Sequence, residues 1–434
     1  MRAALHGLTT RGRCLIAAGL AAVICAVLLG EKDLLRVAVV LLVLPALCVV
    51  ALARARFRLS CERSLSPTRT PVGEAAEVRI TLRNVSVIPT SVVLVEDEVP
   101  YALGAHARFT LDQIRPGQDR ELRYLVRSPL RGHFSVGPLR LQLSDPFGLV
   151  ELTRSFSTSD RLTVVPGVVP LRSFPISGAT GDGPGSSRRS IAARGVDEAA
   201  TREYRQGDDL RKVHWKSTAR TGKLMVRREE RPWQARAALV VDCRVGAHRG
   251  EAPDSSFEWA VTAAASIGAH LISQGYLLTL ASQAGVLEHE LDSRAVLLDR
   301  LAGLDLVDDT PLTGAIPALR SAARDRTVIA VTGLLSAEHA AQLTSIRSTA
   351  TSGLAIAVDA HEWTRLDPPE RDAASAEFAA QLGAFADAGW HVASAGRAGS
   401  IDGAWAQLGE QVASQRRAAA SAVRASLLYN AAGI

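Results

Sequence analysis

Two uninterrupted apolar runs near the N-terminus constrain this 434-residue chain more than any other feature. Cys14–Gly30 (CLIAAGLAAVICAVLLG) and Val37–Ala53 (VAVVLLVLPALCVVALA) carry no charge, and six residues separate them. As helices they rise about 25 Å each, the short end of what crosses a bilayer. One such run is compatible with a core helix of a water-soluble domain. Two in succession, joined by Glu31-Lys32-Asp33, predict a membrane helical hairpin. The competing reading of the first run is a secretory signal peptide, but no Ala-x-Ala cleavage site with a polar start follows Gly30.

The flanks predict an orientation. Arg2, Arg11 and Arg13 precede the first run, and Arg54, Arg56, Arg58 and Arg63 follow the second. The short connection has no such excess, so both ends are expected on the cytoplasmic face of the membrane. Part of the formal net charge of +6 is therefore juxtamembrane arginine, suited to anionic inner-membrane lipid. Nucleic acid is not an expected partner, because no basic-aromatic motif accompanies the charge elsewhere. Three of the five cysteines (Cys14, Cys25, Cys48) fall in the apolar runs. Cys61 and Cys243 remain, with no Cys-x-x-Cys spacing, as expected in a reducing compartment.

Residues 57–170 read as a β-sandwich-like, immunoglobulin-like domain. Short alternating runs recur at Glu77–Leu82, Ser91–Val95, Glu121–Val126, Leu139–Leu143 and Leu162–Val165, with turn signals between them. One run ends at Asn84, and Asp145-Pro146-Phe147-Gly148 predicts a tight turn. Residues 171–235 hold a glycine- and serine-rich linker around Arg188-Arg189, followed by a dense charged and aromatic segment. From 236 to 415 strands alternate with helices. Strands are expected at Ala237–Val241, Tyr276–Ala281, Thr327–Thr332, Leu354–Val358 and His391–Ala395. Helices are expected at Ser255–Ser273, Leu312–Ala323, Ala337–Arg347, Ala373–Asp387 and Asp402–Ser414. This alternation predicts a parallel, doubly wound α/β sheet. Residues 416–434 are expected to form a C-terminal helix or tail.

The segment 195–230 brings together Arg202, Glu203, Tyr204, Gly207, Asp208, Asp209, Arg211, His214, Trp215, Ser217 and Arg220. Tyr and Trp among alternating charges suit an interface where aromatic anchors and ion pairs set a geometry. A turn or short helix through Arg202–Arg205 and a helix over Leu210–Ala219 are expected, with Asp208 or Asp209 as N-cap. In that form the segment is a clasp between domains, a partner-docking surface, or both. A catalytic reading needs His214 as base beside Asp208 or Asp209. Yet Ser217 lacks a Gly-x-Ser-x-Gly elbow, and no phosphate-binding Gly-x-x-x-x-Gly-Lys loop exists, so no catalytic residue and no enzyme are expected.

The order Arg-Glu-Tyr, Gly-Asp-Asp-x-Arg, Trp, Ser, Arg resembles the hallmark of the family known as domain of unknown function 58. The α/β part is similar to a von Willebrand factor A domain, whose metal-ion-dependent adhesion site begins Asp-x-Ser-x-Ser. Here that element is Asp242-Cys243-Arg244-Val245-Gly246. Both serines are missing, and Gly333 stands where a later aspartate is expected. Asp242 is expected to pair with Arg244 or with an arginine of the charged segment. No cofactor is expected, Mg²⁺ included. The alternative is a divalent-metal-dependent binding or hydrolytic module using Asp242, Asp308, Asp309 and Thr313. The resemblance implies a membrane-anchored, non-enzymatic cytoplasmic scaffold. Its implied partner is a MoxR-type AAA+ ATPase, in complex assembly or in envelope and stress functions.

Overall fold

The structure is a computed structural model and describes residues 7–54, 59–176, 201–204, 213–227, 235–308 and 316–431, apart from positions 91, 105, 146, 284, 325, 349 and 351. The chain divides into two compact units. One comprises Met1–Gly167 with Leu298–Leu304, and the other comprises the remainder.

The first unit opens with two helices, α1 (Thr10–Leu29) and α2 (Lys32–Arg54), both long and apolar enough to cross a membrane. Thr9 caps α1 by accepting the Gly12 N–H. The helix ends where Gly30 takes the left-handed conformation (φ +71), which lets the chain reverse at once into α2. The buried residues Gly12, Gly19 and Ala26 recur every seven residues on α1. A Cβ on Gly19 would press on the Leu42 side chain, so a small residue permits this close packing of the helices.

Ten strands follow: β1 (Leu59–Ser66), β2 (Arg69–Pro71), β3 (Ala75–Asn84), β4 (Val93–Asp97), β5 (Ala107–Leu111), β6 (Asp119–Arg127), β7 (Gly132–Val136), β8 (Leu139–Ser144), β9 (Glu151–Phe156) and β10 (Asp160–Val165). They form antiparallel sheets in the orders β1-β3-β6 and β5-β4-β8-β9, and a third sheet, β2-β10-β7, in which β2 runs parallel to β10. Strict alternation in β3 sends Ala76, Val78, Ile80 and Leu82 inward. They share one core with Val93 and Val95 of β4 and Leu139, Leu141 and Leu143 of β8. Inside it Arg63 meets Asp97 at 2.6 Å, and the Tyr124 hydroxyl donates to the other Asp97 oxygen at 2.6 Å. Burial nevertheless raises the Asp97 carboxyl above the ordinary range. The five runs read from sequence all lie within or overlap strands here. Strands β1, β2, β5, β7 and β9 were not anticipated, because polar residues interrupt their alternation.

The second unit begins, among its described elements, with the pair β11 (Thr201–Glu203) and β12 (Met225–Arg227), with α3 (Trp215–Thr221) between them in sequence. Its main sheet contains β13 (Arg236–Val241), β16 (Leu277–Ser282), β17 (Gly285–Leu291), β18 (Thr327–Thr332), β19 (Ser352–Val358) and β20 (His391–Ala395); β14 (Gly250–Glu251) and β15 (Asp254–Ser255) form a separate small ribbon. The order is β17-β16-β13-β18-β19-β20. Every pairing is parallel except β16 with β17, so the expected all-parallel sheet is a mixed one with an antiparallel edge. The unanticipated β17 is half polar (GVLEHEL), as befits an edge strand with one wet face.

The helices along this part of the chain are α4 (Ser256–Ser273), α5 (Arg294–Ala302), whose residues from Leu298 onward belong to the first unit, α6 (Ile316–Ala323), α7 (Ala337–Thr344), α8 (Pro368–Asp387) and α9 (Ile401–Ala431). Helix α8 starts five residues earlier than its apolar spacing suggests. Pro368 and Pro369 fit the first turn, and Asp367 with Glu370 forms a capping box. The alanine-rich tail continues the last helix without a break, because Ala and Arg sustain a helix well.

Candidate functional site

The chain crosses from β13 to its neighbour β16 on one flank, and from β18, the neighbour of β13 on the other flank, onward to β19 in the opposite direction. The crevice beyond the carboxyl ends of β13 and β18 is thus a topological switch point, where open α/β sheets ordinarily bind ligands. Asp242 follows β13 directly, and Thr332-Gly333 lies at the end of β18.

A cation of the protein's own occupies this place. Arg244 Nε donates to Asp242 Oδ1 at 3.0 Å, and Nη2 donates to Oδ2 at 2.8 Å, with both side chains buried. The guanidinium also donates to Leu334 O in the loop after β18 at 3.3 Å and to His339 Nδ1 in the first turn of α7 at 2.9 Å. Arg244 thereby ties one strand-end loop to the next. His248 secures the turn behind it: Nε2–H donates to Asp242 O at 2.9 Å, and Nδ1 lies 3.1 Å from Ser256 Oγ. Burial lowers the affinity of His248 for a proton, which keeps the ring neutral. Gln283 accepts the Cys243 N–H at 3.0 Å, and Gln381 bridges Gly333 O and Leu335 N.

The donor set does not fit a hard divalent cation. Both Asp242 oxygens are committed to Arg244. A divalent ion about 4 Å from a guanidinium is opposed by about 8 kcal/mol at an effective dielectric near 20. The position expected to carry a further carboxylate is also closed. A Cβ on Gly333 would land on the Ala247 carbonyl oxygen, and Leu334 N already donates to that oxygen at 2.9 Å. Asp308 follows Val307, which pairs with the backbone of Cys243 and Val245; Asp309 and Thr313 lie outside the described residues. Among the described residues no group of three or more His, Cys, Asp or Glu converges on a metal-sized space. The Thr332 hydroxyl is buried with no hydrogen-bond partner among the described residues, and one hydroxyl is not a cation site.

The charged segment builds a small module of its own. Thr201–Glu203 is a strand, where a turn or short helix is expected, because each residue pairs with β12: Thr201 with Arg227, Arg202 with Val226, Glu203 with Met225. Val213 bridges to Val226, so the chain is extended at that point and the described helix follows it. It begins at Trp215, with His214 rather than Asp208 or Asp209 as N-cap. His214 Nδ1 sits 2.8 Å from Ser217 Oγ and accepts the Ser217 N–H at 3.3 Å, a capping geometry. Tyr204 N donates to Leu224 O and His214 N to Met225 O, while Lys223 pairs with Glu203 at 2.6 Å. Trp215 is 70% exposed, and Arg220 in the last turn of α3 is exposed. Gly207, Asp208, Asp209 and Arg211 lie outside the described residues, as do Arg188 and Arg189.

A cleft of about 660 Å³ opens beyond β19, lined by Asp359, His361, Glu362, Arg371 and Arg397 among others. Arg397 is held there by an ion pair to Asp254, and its N–H donates to Glu362 at 2.7 Å. Burial raises the Asp359 carboxyl above its ordinary range. The anchoring residues His248, Gln283, His339 and Gln381 were not singled out from sequence. His339 follows a Ser336 N-cap and reads as an ordinary first-turn residue. The informative sequence signals were Arg244 two residues after Asp242 and Gly333 directly after β18.

Residues 200–366 match the family model described as protein of unknown function DUF58. The uncharacterized protein YeaD of Bacillus subtilis (strain 168) is 26% identical over 235 residues, 51% of this chain and 54% of that protein. The chain thus spans about half the length of the curated relative it matches. A solved CARDB domain from Pyrococcus furiosus, in complex with di-metal ions, is 18% identical and covers 26% of this chain and 96% of its own, with a TM-score of 0.20. A chain from the complex of zinc 2-glycoprotein and prolactin inducible protein from human seminal plasma is 9% identical, with coverages of 26% and 99% and a TM-score of 0.21.

Proposed function

We propose that this chain is a membrane-anchored, non-enzymatic docking protein. Its α/β unit is a von Willebrand factor A-like domain in which the protein's own arginine replaces the ion. The observation that carries this reading is the bidentate Arg244–Asp242 pair at the switch point. A site held shut by an internal cation is suited to scaffolding, where a rigid surface is presented without an exchangeable ion. The strand order, with one antiparallel edge and five parallel strands, supports the same reading.

The docking surface is the module of β11, α3 and β12. An exposed Trp beside exposed Arg220 and Lys216 on a short, capped helix has the composition of an interface hot spot. The partner implied by the resemblance is a MoxR-type AAA+ ATPase at the cytoplasmic face, with the arginine flanks directing both termini to that side. Crosslinked capture from native membranes tests this, comparing the wild type with Tyr204→Ala/Trp215→Ala at matched melting temperature. Loss of an AAA+ ATPase from the captured set is expected. Retention of every partner by the double variant sinks the docking surface, and a C-terminal topology reporter found outside the cell sinks the orientation.

A further inference from the structure

We infer that the hairpin-proximal end of the β unit is itself a membrane-contacting surface, with Val85, Val87, Ile88 and Phe147 seated among the lipids at the bilayer interface. This rests on the reading of α1 and α2 as membrane spans and adds a second, non-helical contact to it.

Strand register locates that end. Leu59, the first described residue after α2, pairs with Asn84, so the loop 85–92 begins beside the start of β1. The loop returns into β4, whose Val93 pairs with Leu143 of β8, one residue before Ser144 and the Asp145 turn. That turn carries Phe147 and holds the start of α1: Thr9 N donates to Leu149 O at 3.0 Å, Leu8 bridges Val150, and Thr9 Oγ1 donates to Gly148 O at 2.8 Å. Loop, turn and the start of α1 therefore meet at one end of the unit.

Depth follows from helix length. Phe147 and Leu149 line one cleft with Arg11, Leu15, Ala18 and Leu44, and Cys48 and Val49 of α2 join the β core. The unit thus flanks the first turns of α1. Only residues 16–29 of α1 remain beyond Leu15, which rise about 21 Å at 1.5 Å per residue, against about 30 Å of hydrocarbon. So short a span draws the bilayer surface down toward the β unit by local thinning, which brings the end of that unit to the interfacial layer.

Its surface matches that layer. Val87 is 93% exposed, and Val85, Ile88, Val92 and Phe147 are exposed around it. The loop is held firmly. Buried Asn84 donates through Nδ2 to Ile88 O and Ile114 O, both at 2.9 Å, and its Oδ1 accepts the Ser86 N–H at 3.0 Å. Asp145 accepts the N–H groups of Phe147, Leu149 and Val150. Loop and turn therefore present their apolar side chains without collapsing onto the core.

The test is photolabelling of the full chain reconstituted in phosphatidylcholine–phosphatidylglycerol vesicles with a phospholipid bearing an acyl-chain diazirine near the glycerol, read by mass spectrometry. Adducts are expected on Val85–Ile88 and Phe147 as well as on the lipid-facing helix residues Val27 and Val40. None above background is expected on Tyr101 or Leu125, exposed residues toward the opposite end of the unit: Leu125 pairs with Glu77 near the start of β3, and Tyr101 follows β4 beyond the Asp97–Leu139 pair. Adducts on the helices but not on the loop or Phe147 overturn the inference and leave the anchor standing. Labelling of Tyr101 and Leu125 as heavily as Val87 also overturns it. No adducts on α1 or α2 overturn the anchor as well.

Discussion

Arg244 lays its Nε and Nη2 on the two carboxylate oxygens of Asp242, two residues away, at 3.0 and 2.8 Å. Both side chains are almost fully buried, at 4% and 6% exposure. At this depth the pair has good geometry, and its remaining donors reach His339 and Leu334. It links the ends of β13 and β18 where other proteins of this topology bind ligands.

Removing one member leaves an uncompensated buried charge. Arg244→Met is expected to cost about 3–5 kcal/mol of unfolding free energy, measured by thermal or denaturant unfolding of the full chain in detergent. Asp242→Leu/Arg244→Met is expected to recover much of that loss, because no charge then stays buried. Equal destabilisation by the single and double variants contradicts the pairing.

Gly333 is the second closed position. Gly333→Ala drives a Cβ onto the Ala247 carbonyl, a rigid backbone atom in the turn that carries Arg244. A cost of about 1–3 kcal/mol is expected from this overpacking. An unchanged unfolding midpoint would show that the turn has room.

Histidines make the stability of the α/β unit depend on acidity. Burial holds the imidazoles of His248, His270 and His391 below their ordinary range in the folded state. The unfolded chain takes up protons near pH 6.5 and the folded chain does not. Stability is therefore fully present above about pH 6.5, falls as the pH drops below it, and stops falling once the lowered folded values are passed. Buried His248 contributes a slope of up to about 1.4 kcal/mol per pH unit, and the half-buried His270 and His391 contribute less because solvent screens them. His248→Gln should flatten the midpoint-versus-pH curve between pH 5 and 6.5; a slope identical to wild type assigns the effect elsewhere.

Much of this architecture is legible in the residues alone. The apolar runs announce α1 and α2, continuous apolar segments announce β13, β18 and β19, and the alternation in β3 announces a half-buried strand. Asn84 and Asp145 do as turn-forming residues should: each satisfies neighbouring backbone groups through its side chain. What escaped is set by tertiary context. Strand β11 forms because its residues find β12 some twenty positions later, and nothing local in Thr201–Glu203 announces that. The α3 cap passes to His214 because Val213 is held in a bridge to Val226. At the switch point, the missing serines and Arg244 as a partner of Asp242 were visible, but the full closure of the site was not. That closure depends on His339 and on the absent Cβ of Gly333, contacts 90 or so residues distant in sequence.

The most direct measurement of the central claim is calorimetric titration of the full chain with Mg²⁺, Mn²⁺ and Ca²⁺, alongside Asp242→Asn. An arginine seated on Asp242 predicts no saturable heat and no shift in melting temperature at millimolar metal, for the wild type and the variant alike. Saturable binding by the wild type that Asp242→Asn abolishes would contradict it, and would make the switch point a working cation site.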